Sequence, residues 1–554
     1  MTMLLVLDIG TTGTRALLID TLGRIHGMAY REYKNRFLGK GAIEQDGMTW
    51  WQAVTEVVPQ VLAQGDDVSR SVSCSISRNI SRSIEAIAVT SQRATVLPVN
   101  ASGEPLAPAI LWQDKRTLGE CKGLAEAVGE EAVYRTTGLR IDPYFSLPKV
   151  LWFKHERPDV WKNTYTFLTV HDWIVFQLTG RFATEGTQAS RTQLFDVRRR
   201  TWATNLAQDI GLDFVPFPDV HATGSILQGL STEAAGTLGL KAGTPVVLAG
   251  GDQQCAAVGL GVIRPGEVKI TTGTGTFIVS PVDHPVFDSK SRVLCSLSAV
   301  PNQWILEAGI FTTGAILRWW RDELADWAVA DGREKNADPY DVITSLAGTA
   351  PPGSKGVLLI PHFAGSAAPY WNAESRGLLF GLLQHHTNAD LARAVLEGIA
   401  LETNKNLALM MGLRNETGTE VGVNTLSVSV VKEFQMESQT TTRRAIHVTG
   451  GMTRSTLFNQ IQADVYGRRV TPASTEQATA LGAAVLAAVA IGAYDDLDSA
   501  TAAMCKMDEG RTAYPDETRH HLYQHVQDLH HRIYSALDVA GVYGAAANLA
   551  SSEP

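Results

Sequence analysis

The amino-terminal chain alternates between short apolar runs and turn-forming residues. MLLVLDIG is an apolar run that closes on Asp8, and TRALLIDTLGRIHGMAY carries the alternation of two further strands joined by a turn at 21–24. Between 48 and 62 the spacing becomes helical: Trp51, Val54, Val57, Val58 and Val61 share one face, Asp46 or Gly47 can start the helix, and Pro59 should kink it or end it early. A serine- and arginine-rich stretch at 66–83 reads as a surface insertion, after which 84–90 returns to strand. A strand at 109–112 and helices at 148–155 and 170–178 follow.

The second half repeats this alternation. A strand at 245–249 ends in Gly250-Gly251-Asp252, 267–280 makes two strands around TTGTGTF, and helices cover 311–326 and 388–411. A second polar insertion, 414–444, precedes a strand at 445–449 and the segment GGMTRSTLFNQIQADVYG. The apolar stretch 478–494 is mostly alanine and glycine and too short for a bilayer, so it is expected to be a buried helix. Each half opens on strand, glycine and carboxylate turn, and strand; with no residue-level repeat, a duplication is inferred from arrangement alone. The pattern predicts two α/β domains, 1–249 and 250–540, with a flexible tail at 541–554.

Composition narrows the partners. A chain of 554 residues exceeds what one core usually organises, in keeping with two domains. Its 48 Lys+Arg against 57 Asp+Glu give a net charge of −9, which argues against nucleic acid or an anionic membrane as partner. The five cysteines are odd in number and never form a CxxC pair, so they read as reduced thiols of a cytoplasmic protein. The start, MTMLLVLDIG, lacks the basic region of a signal peptide. The 14 histidines show no metal spacing, and the pairs His520/His521 and His530/His531 are expected to be solvated on an amphipathic helix. Trp319 and Trp320 read as packing residues.

DIGTTGTR, residues 8–15, is where chemistry enters. Glycine and threonine in a tight strand-to-strand turn offer free N–H groups and hydroxyls to a phosphate, Asp8 offers oxygens to Mg²⁺, and Arg15 adds positive charge. A plain hairpin turn explains the same residues. The balance changes with GGDQQ, which puts Asp252 at a second strand end, because two carboxylates suit a division between metal holding and proton acceptance. VTGGMTRSTLFNQI then adds a strand, a Gly-Gly turn and a helix start, against which a flat base or ribose can lie.

The ordered motifs DIGTTGTR, GGDQQ, ITTGTGTF, VTGGMTRSTLFNQ and ATALGAAVLAA resemble the nucleotide-binding elements of the actin, Hsp70 and sugar-kinase superfamily. GLLFGLLQHHTNADLARAVLE (377–397) resembles the carboxyl-terminal signature of FGGY carbohydrate kinases, and YFSLPKVLWFKHE (144–156) resembles their other signature up to His155. The resemblance implies two actin-like (ribonuclease H-like) domains with a central cleft, and ATP with Mg²⁺. It implies Asp8 for the metal, Thr11, Thr12 and Arg15 for the phosphates, and Asp252 as catalytic base. Thr274, Gly314, Gly451 and Ser455 match nucleotide contacts, although glycerol kinases carry asparagine in place of Ser455. Gly13 stands where some members have serine, so one hydroxyl is missing from the turn.

On the substrate side the motifs resemble glycerol kinases most. Arg93, Trp112, Tyr144, Asp252, Gln253 and Phe277 have counterparts in their polyol grip, whereas Ala94 replaces a glutamate. Loss of that carboxylate should leave substrate hydroxyls unpaired and shift specificity. The resemblance therefore implies a kinase acting on a small polyol or sugar, with pentulose kinases and autoinducer-2-type kinases as alternatives. Trp112 and Tyr144 could also be core aromatics, and Asp114 and Arg116 a structural pair. A non-catalytic actin-like ATPase is a rival from another class, and a dinucleotide-binding oxidoreductase is a weaker one because no GxGxxG opens a helix. The assembly is open, with a homodimer admitted.

Overall fold

The computed structural model describes residues 2–39, 41–71, 83–415 and 445–551, with backbone alone for 66–71, 415, 550 and 551. The chain divides into two compact units. The first comprises 1–263, 281–305 and 477–506, and the second 264–280, 306–476 and 507–554. The units are thus not the simple halves expected at 249/250: the strand Pro245–Gly251 and the helix Asp252–Gly259 stay with the amino-terminal strands, and the alanine-rich helix returns to them.

The first unit is built on a sheet in the order Ile226–Gly229, Pro245–Gly251, Ile84–Ser91, Met3–Ile9, Gly13–Asp20, Ile25–Glu32. Met3–Ile9 pairs antiparallel with Gly13–Asp20 and parallel with Ile84–Ser91, which pairs parallel with Pro245–Gly251. Alternate residues face opposite sides of the sheet. Leu5 and Leu7 meet Trp50, Val54, Val57 and Val61 of the helix Gly47–Ser71 in one core cluster. Leu4 and Val6 join Cys255, Val258 and the alanines of Ala478–Ala490 in the other. Small residues in that last helix are a packing requirement: a Cβ on Gly482 would lie 1.8 Å from the Cys255 carbonyl oxygen, and one on Gly259 2.0 Å from that of Ala478.

Local differences from the pattern have physical reasons. The helix begun at Gly47 passes Pro59, which sits on its exposed side, and runs to Ser71, so 66–71 is helical and not part of an insertion. Trp50, fully buried, centres its apolar face instead of the half-buried Trp51. The remainder of 66–83, apart from Ser83, and nearly all of 414–444 lie outside the described residues.

The sheet of the second unit runs Trp304–Ile310, Thr276–Val282, Val268–Thr272, Ile446–Thr449, Val470–Pro472. Val268–Thr272 pairs antiparallel with Thr276–Val282 and parallel with Ile446–Thr449, which pairs parallel with Val470–Pro472. This is the hairpin-then-parallel order of the first sheet, so the duplication inferred from arrangement is present in the strand topology. Of the expected flexible tail 541–554, Val542–Ser551 is a helix anchored by Tyr543, which packs with Ile360 and Tyr534, and 552–554 lie outside the described residues. His530 is likewise fully buried and not solvated, its Nε2 donating to the Leu359 carbonyl at 3.1 Å. Trp320 is buried as a packing residue, whereas Trp319 is exposed and touches the likewise exposed Phe363.

Candidate active site

Three strand ends of the first unit deliver its functional side chains. The turn after Ile9 closes with the Gly10 N–H donating to the Gly13 carbonyl at 2.9 Å. Tyr33 and Gln92 donate to the Gly10 carbonyl at 2.6 and 3.2 Å, and Gln45 donates to that of Thr11 at 2.9 Å, so the turn is held from three sides. Asp8 Oδ2 accepts from Arg15 Nη1 at 3.2 Å. Burial pushes the Asp8 carboxyl up to about 6, with the charge of Asp252 adding and Arg15 opposing. A carboxylate so loaded gains from a divalent cation. Among the described residues no three His, Cys, Asp or Glu side chains gather to hold a metal, and Asp8 offers a carboxylate, the hard oxygen donor that Mg²⁺ takes. The residues present fit that ion.

The strand Ile84–Ser91 leads into Gln92, Arg93, Ala94 and Thr95, and Pro245–Gly251 leads into Asp252. Arg93 Nε stands 3.2 Å from Asp252 Oδ1, and Arg93 Nη1 donates to Gln254 Oε1 at 3.2 Å. Gln253 donates through its backbone N–H to Asp252 Oδ1 at 2.8 Å and through Nε2 to Oδ2 at 3.3 Å. Asp252 thereby keeps a fixed direction while remaining accessible. Ala94 is wholly buried with a left-handed backbone, φ 64°, and brings no polar side-chain atom to the position where the resemblance placed a carboxylate.

Trp112 and Tyr144 are wall residues of this same cluster. Trp112 Nε1 donates to Thr11 Oγ1 at 3.0 Å, Thr11 donates to Gln92 Oε1 at 3.3 Å, and the Trp112 and Tyr144 ring centroids are 5.2 Å apart. The turn, the Arg93 loop and the aromatic pair are therefore one connected group. Asp114 and Arg116 form a structural pair: Asp114 Oδ2 accepts the Ile43 N–H at 2.6 Å, and Arg116 also reaches Glu44 at 2.9 Å.

Three buried side chains support these residues from behind. The Lys149 ammonium, fully buried, donates to the carbonyls of Pro143, Tyr144 and Phe145 at 2.6, 2.9 and 2.7 Å and so fixes the backbone carrying Tyr144. Glu185, also fully buried, accepts from the N–H and hydroxyl of Thr187, the N–H of Gln188 and the hydroxyl of Thr223. Thr187 Oγ1 in turn accepts the Gly251 N–H at 2.8 Å, directly before Asp252. The glycine pair follows from this. A Cβ on Gly250 would lie 2.6 Å from Thr187 Oγ1, and one on Gly251 would lie 2.5 Å from Arg93 Cδ.

The second unit gathers the expected nucleotide contacts around one cavity of about 360 Å³, lined among others by Thr274, Gly314, Gly451 and Ser455. The Gly314 N–H donates to the Gly273 carbonyl at 3.0 Å, and a Cβ there would approach that oxygen to 2.3 Å. Ser455 caps the helix Thr456–Tyr466 by accepting the Phe458 N–H at 3.2 Å, which gives its hydroxyl a structural task. Phe277 belongs to this unit, on Thr276–Val282, with its ring beside Gly309.

A model of the N-terminal domain of FGGY family carbohydrate kinases matches residues 3–259, and one of the C-terminal domain matches 268–491. The chain belongs to the FGGY family of carbohydrate kinases. It is similar to the glycerol kinase of Gloeobacter violaceus, 34% identical over 510 residues that cover 90% of each chain. The glycerol kinase of Janthinobacterium sp. is 31% identical over 520 residues, 91% of this chain and 93% of that one. The fold is similar to that of a xylulose kinase from Lactobacillus acidophilus, with a TM-score of 0.82 at 23% identity, covering 98% of this chain and 100% of the other. It is also similar to Plasmodium falciparum glycerol kinase with ADP, with a TM-score of 0.79 at 22% identity, covering 97% and 98%. As an FGGY kinase the chain is an ATP-dependent enzyme that phosphorylates a hydroxyl of a small sugar or polyol, which sets aside the oxidoreductase and the non-catalytic ATPase. Among the described residues no helix is long and apolar enough to cross a membrane.

Proposed function

We propose that this FGGY kinase phosphorylates a polyol or sugar longer than glycerol, with Asp252 as general base. The observation that carries the reading is the connected group of Arg93, Asp252, Gln253, Trp112 and Tyr144 beside the 10–13 turn. Arg93 and Gln253 bind substrate hydroxyls while Trp112 and Tyr144 cover the carbon chain. Asp252 takes the proton of the reacting hydroxyl as its oxygen attacks the γ-phosphorus, and orientation supplies most of the remaining rate. Thr11, Thr12 and Arg15 stand by the phosphates, and Thr274, Gly314, Gly451 and Ser455 line the cavity for the nucleoside. Asp8 would hold Mg²⁺, which would supply positive charge to offset that of the phosphates. The free thiols Cys121, Cys255, Cys295 and Cys505 suit a cytoplasmic enzyme.

Ala94 supports the longer substrate. With no carboxylate at that position, glycerol's hydroxyls lose an acceptor, and a longer chain can pair its hydroxyls elsewhere. Coupled ADP release measured with glycerol, erythritol, xylulose and ribulose tests this: a glycerol kcat/KM at or above the others overturns the substrate reading. Asp252→Asn should abolish transfer while ADP binding persists, and retained turnover would remove Asp252 from its role.

A further inference from the structure

Tyr30, on the strand Ile25–Glu32, is the direct cross-strand partner of Arg15, and Arg15 is that of Asp8. Directly opposed residues project from the same face of a sheet, so Asp8, Arg15 and Tyr30 form a row beside the 10–13 turn. The Arg15 guanidinium lies 5.3 Å from the centroid of the Tyr30 ring. Tyr30 is 46% exposed, and its hydroxyl is 3.5 Å from the Thr12 carbonyl oxygen, a weak bond. The ring end occupies the room that a side chain at 13 would need: a Cβ on Gly13 would come within 2.3 Å of both Tyr30 Cε2 and the hydroxyl oxygen.

We propose that the Tyr30 hydroxyl is a direct ligand of the ATP phosphates, supplying above Gly13 an O–H donor that the turn lacks at that position. The inference rests on the reading of the 10–13 turn as the phosphate site. Within that turn the Thr11 hydroxyl is already engaged by Trp112 and Gln92, which leaves few free hydroxyl donors. The Tyr30 hydroxyl has only a long bond to give up, and a phosphate oxygen is a stronger, charged acceptor than a carbonyl. Arg15 against the ring places a cation and an O–H donor side by side.

Tyr30→Phe keeps the ring over Arg15 and removes only the donor. It should lower kcat/KM for ATP about tenfold, leaving KM for the sugar unchanged. Gly13→Ser alone should impair the enzyme by its clash with the ring, and Tyr30→Ala alone by loss of the donor. The double variant Gly13→Ser/Tyr30→Ala should exceed both, because the serine then fits and restores a hydroxyl. Thr12→Ala serves as the reference for the turn. If Thr12→Ala weakens ATP use and Tyr30→Phe does not, or if the double variant is no better than Tyr30→Ala, the Tyr30 assignment fails. If neither Thr12→Ala nor Tyr30→Phe changes ATP use, the phosphate reading of the turn fails with it.

Discussion

Arg93 Nε lies 3.2 Å from Asp252 Oδ1 with the arginine side chain 2% exposed and the aspartate 32%. The inequality has a purpose in a kinase. The cation is buried, bonded also to Gln254, and aims a carboxylate that stays open to the reacting hydroxyl. Arginine suits this because its planar fork donates in two directions at once, which an ammonium on a flexible stem does less well.

Arg93→Gln should therefore cost on the order of 10²-fold in kcat/KM for the sugar, since truncating one partner of a desolvated pair leaves the other without its aim. ADP affinity should be unchanged. Arg93→Lys should recover only part of the loss. Steady-state kinetics beside an ADP titration checks all three, and a change below twofold in Arg93→Gln would show that the pair is structural.

Thr187 should behave as a positioning residue for the same carboxylate. Its hydroxyl passes the Glu185 acceptor on to the Gly251 N–H, one residue before Asp252. Thr187→Val keeps the shape but leaves that N–H buried and unpaired, so Asp252 shifts. The expected result is a kcat lowered by about tenfold or more with KM for sugar and ATP within twofold, and recovery in Thr187→Ser. Equal impairment of the serine and valine variants would mean that volume, not the hydroxyl, matters at 187.

Much of the molecule was readable along the chain for a definite reason. The motifs at 8–15 and 250–253 are glycines and carboxylates on strand ends, where backbone geometry and chemistry coincide within a few residues. Their supports come from far away in sequence and carry no local mark. Glu185 and Thr187 act on Gly251, and Tyr30 fills the space over Gly13 from the neighbouring strand. Tertiary packing also overrode local signals. Pro59 rides on an exposed helix face without ending the helix, and His530, in a polar-looking segment, is buried. The alanine-rich helix near the carboxyl end fills the second face of the first sheet, so the first compact unit is not one continuous stretch of chain.

Gly451 should tolerate a side chain and yet not tolerate it for function. A Cβ there meets nothing within 4 Å, and the residue lines the cavity of the second unit. Gly451→Leu should fold with an unchanged melting temperature, raise KM for ATP about tenfold or more, and leave KM for the sugar alone. Gly450 is the control. Its φ of 100° and a Cβ 2.3 Å from the Thr272 carbonyl oxygen predict a stability loss of roughly 1–3 kcal/mol for Gly450→Ala. A Gly451→Leu enzyme with normal ATP kinetics would place the nucleotide elsewhere.

Stability in acid should depend on His530. Burial pushes its imidazole down to about 3, with Lys405 and His362 acting in the same direction and Glu402 against them. Its Nε2 is used on the Leu359 carbonyl, and its buried Nδ1 has no partner, so a proton there would be unsatisfied. In the unfolded chain the same ring binds a proton near the ordinary value of about 6.5. Between these two values the unfolded state holds one proton more, so stability falls as pH falls, by about tenfold in the unfolding constant per pH unit, and the dependence ends below about 3. His530→Gln keeps a donor for Leu359 without the titration. Urea midpoints of the wild type should drop relative to those of His530→Gln from pH 7 to pH 4. Parallel curves over that range would mean that the buried ring does not set the acid response.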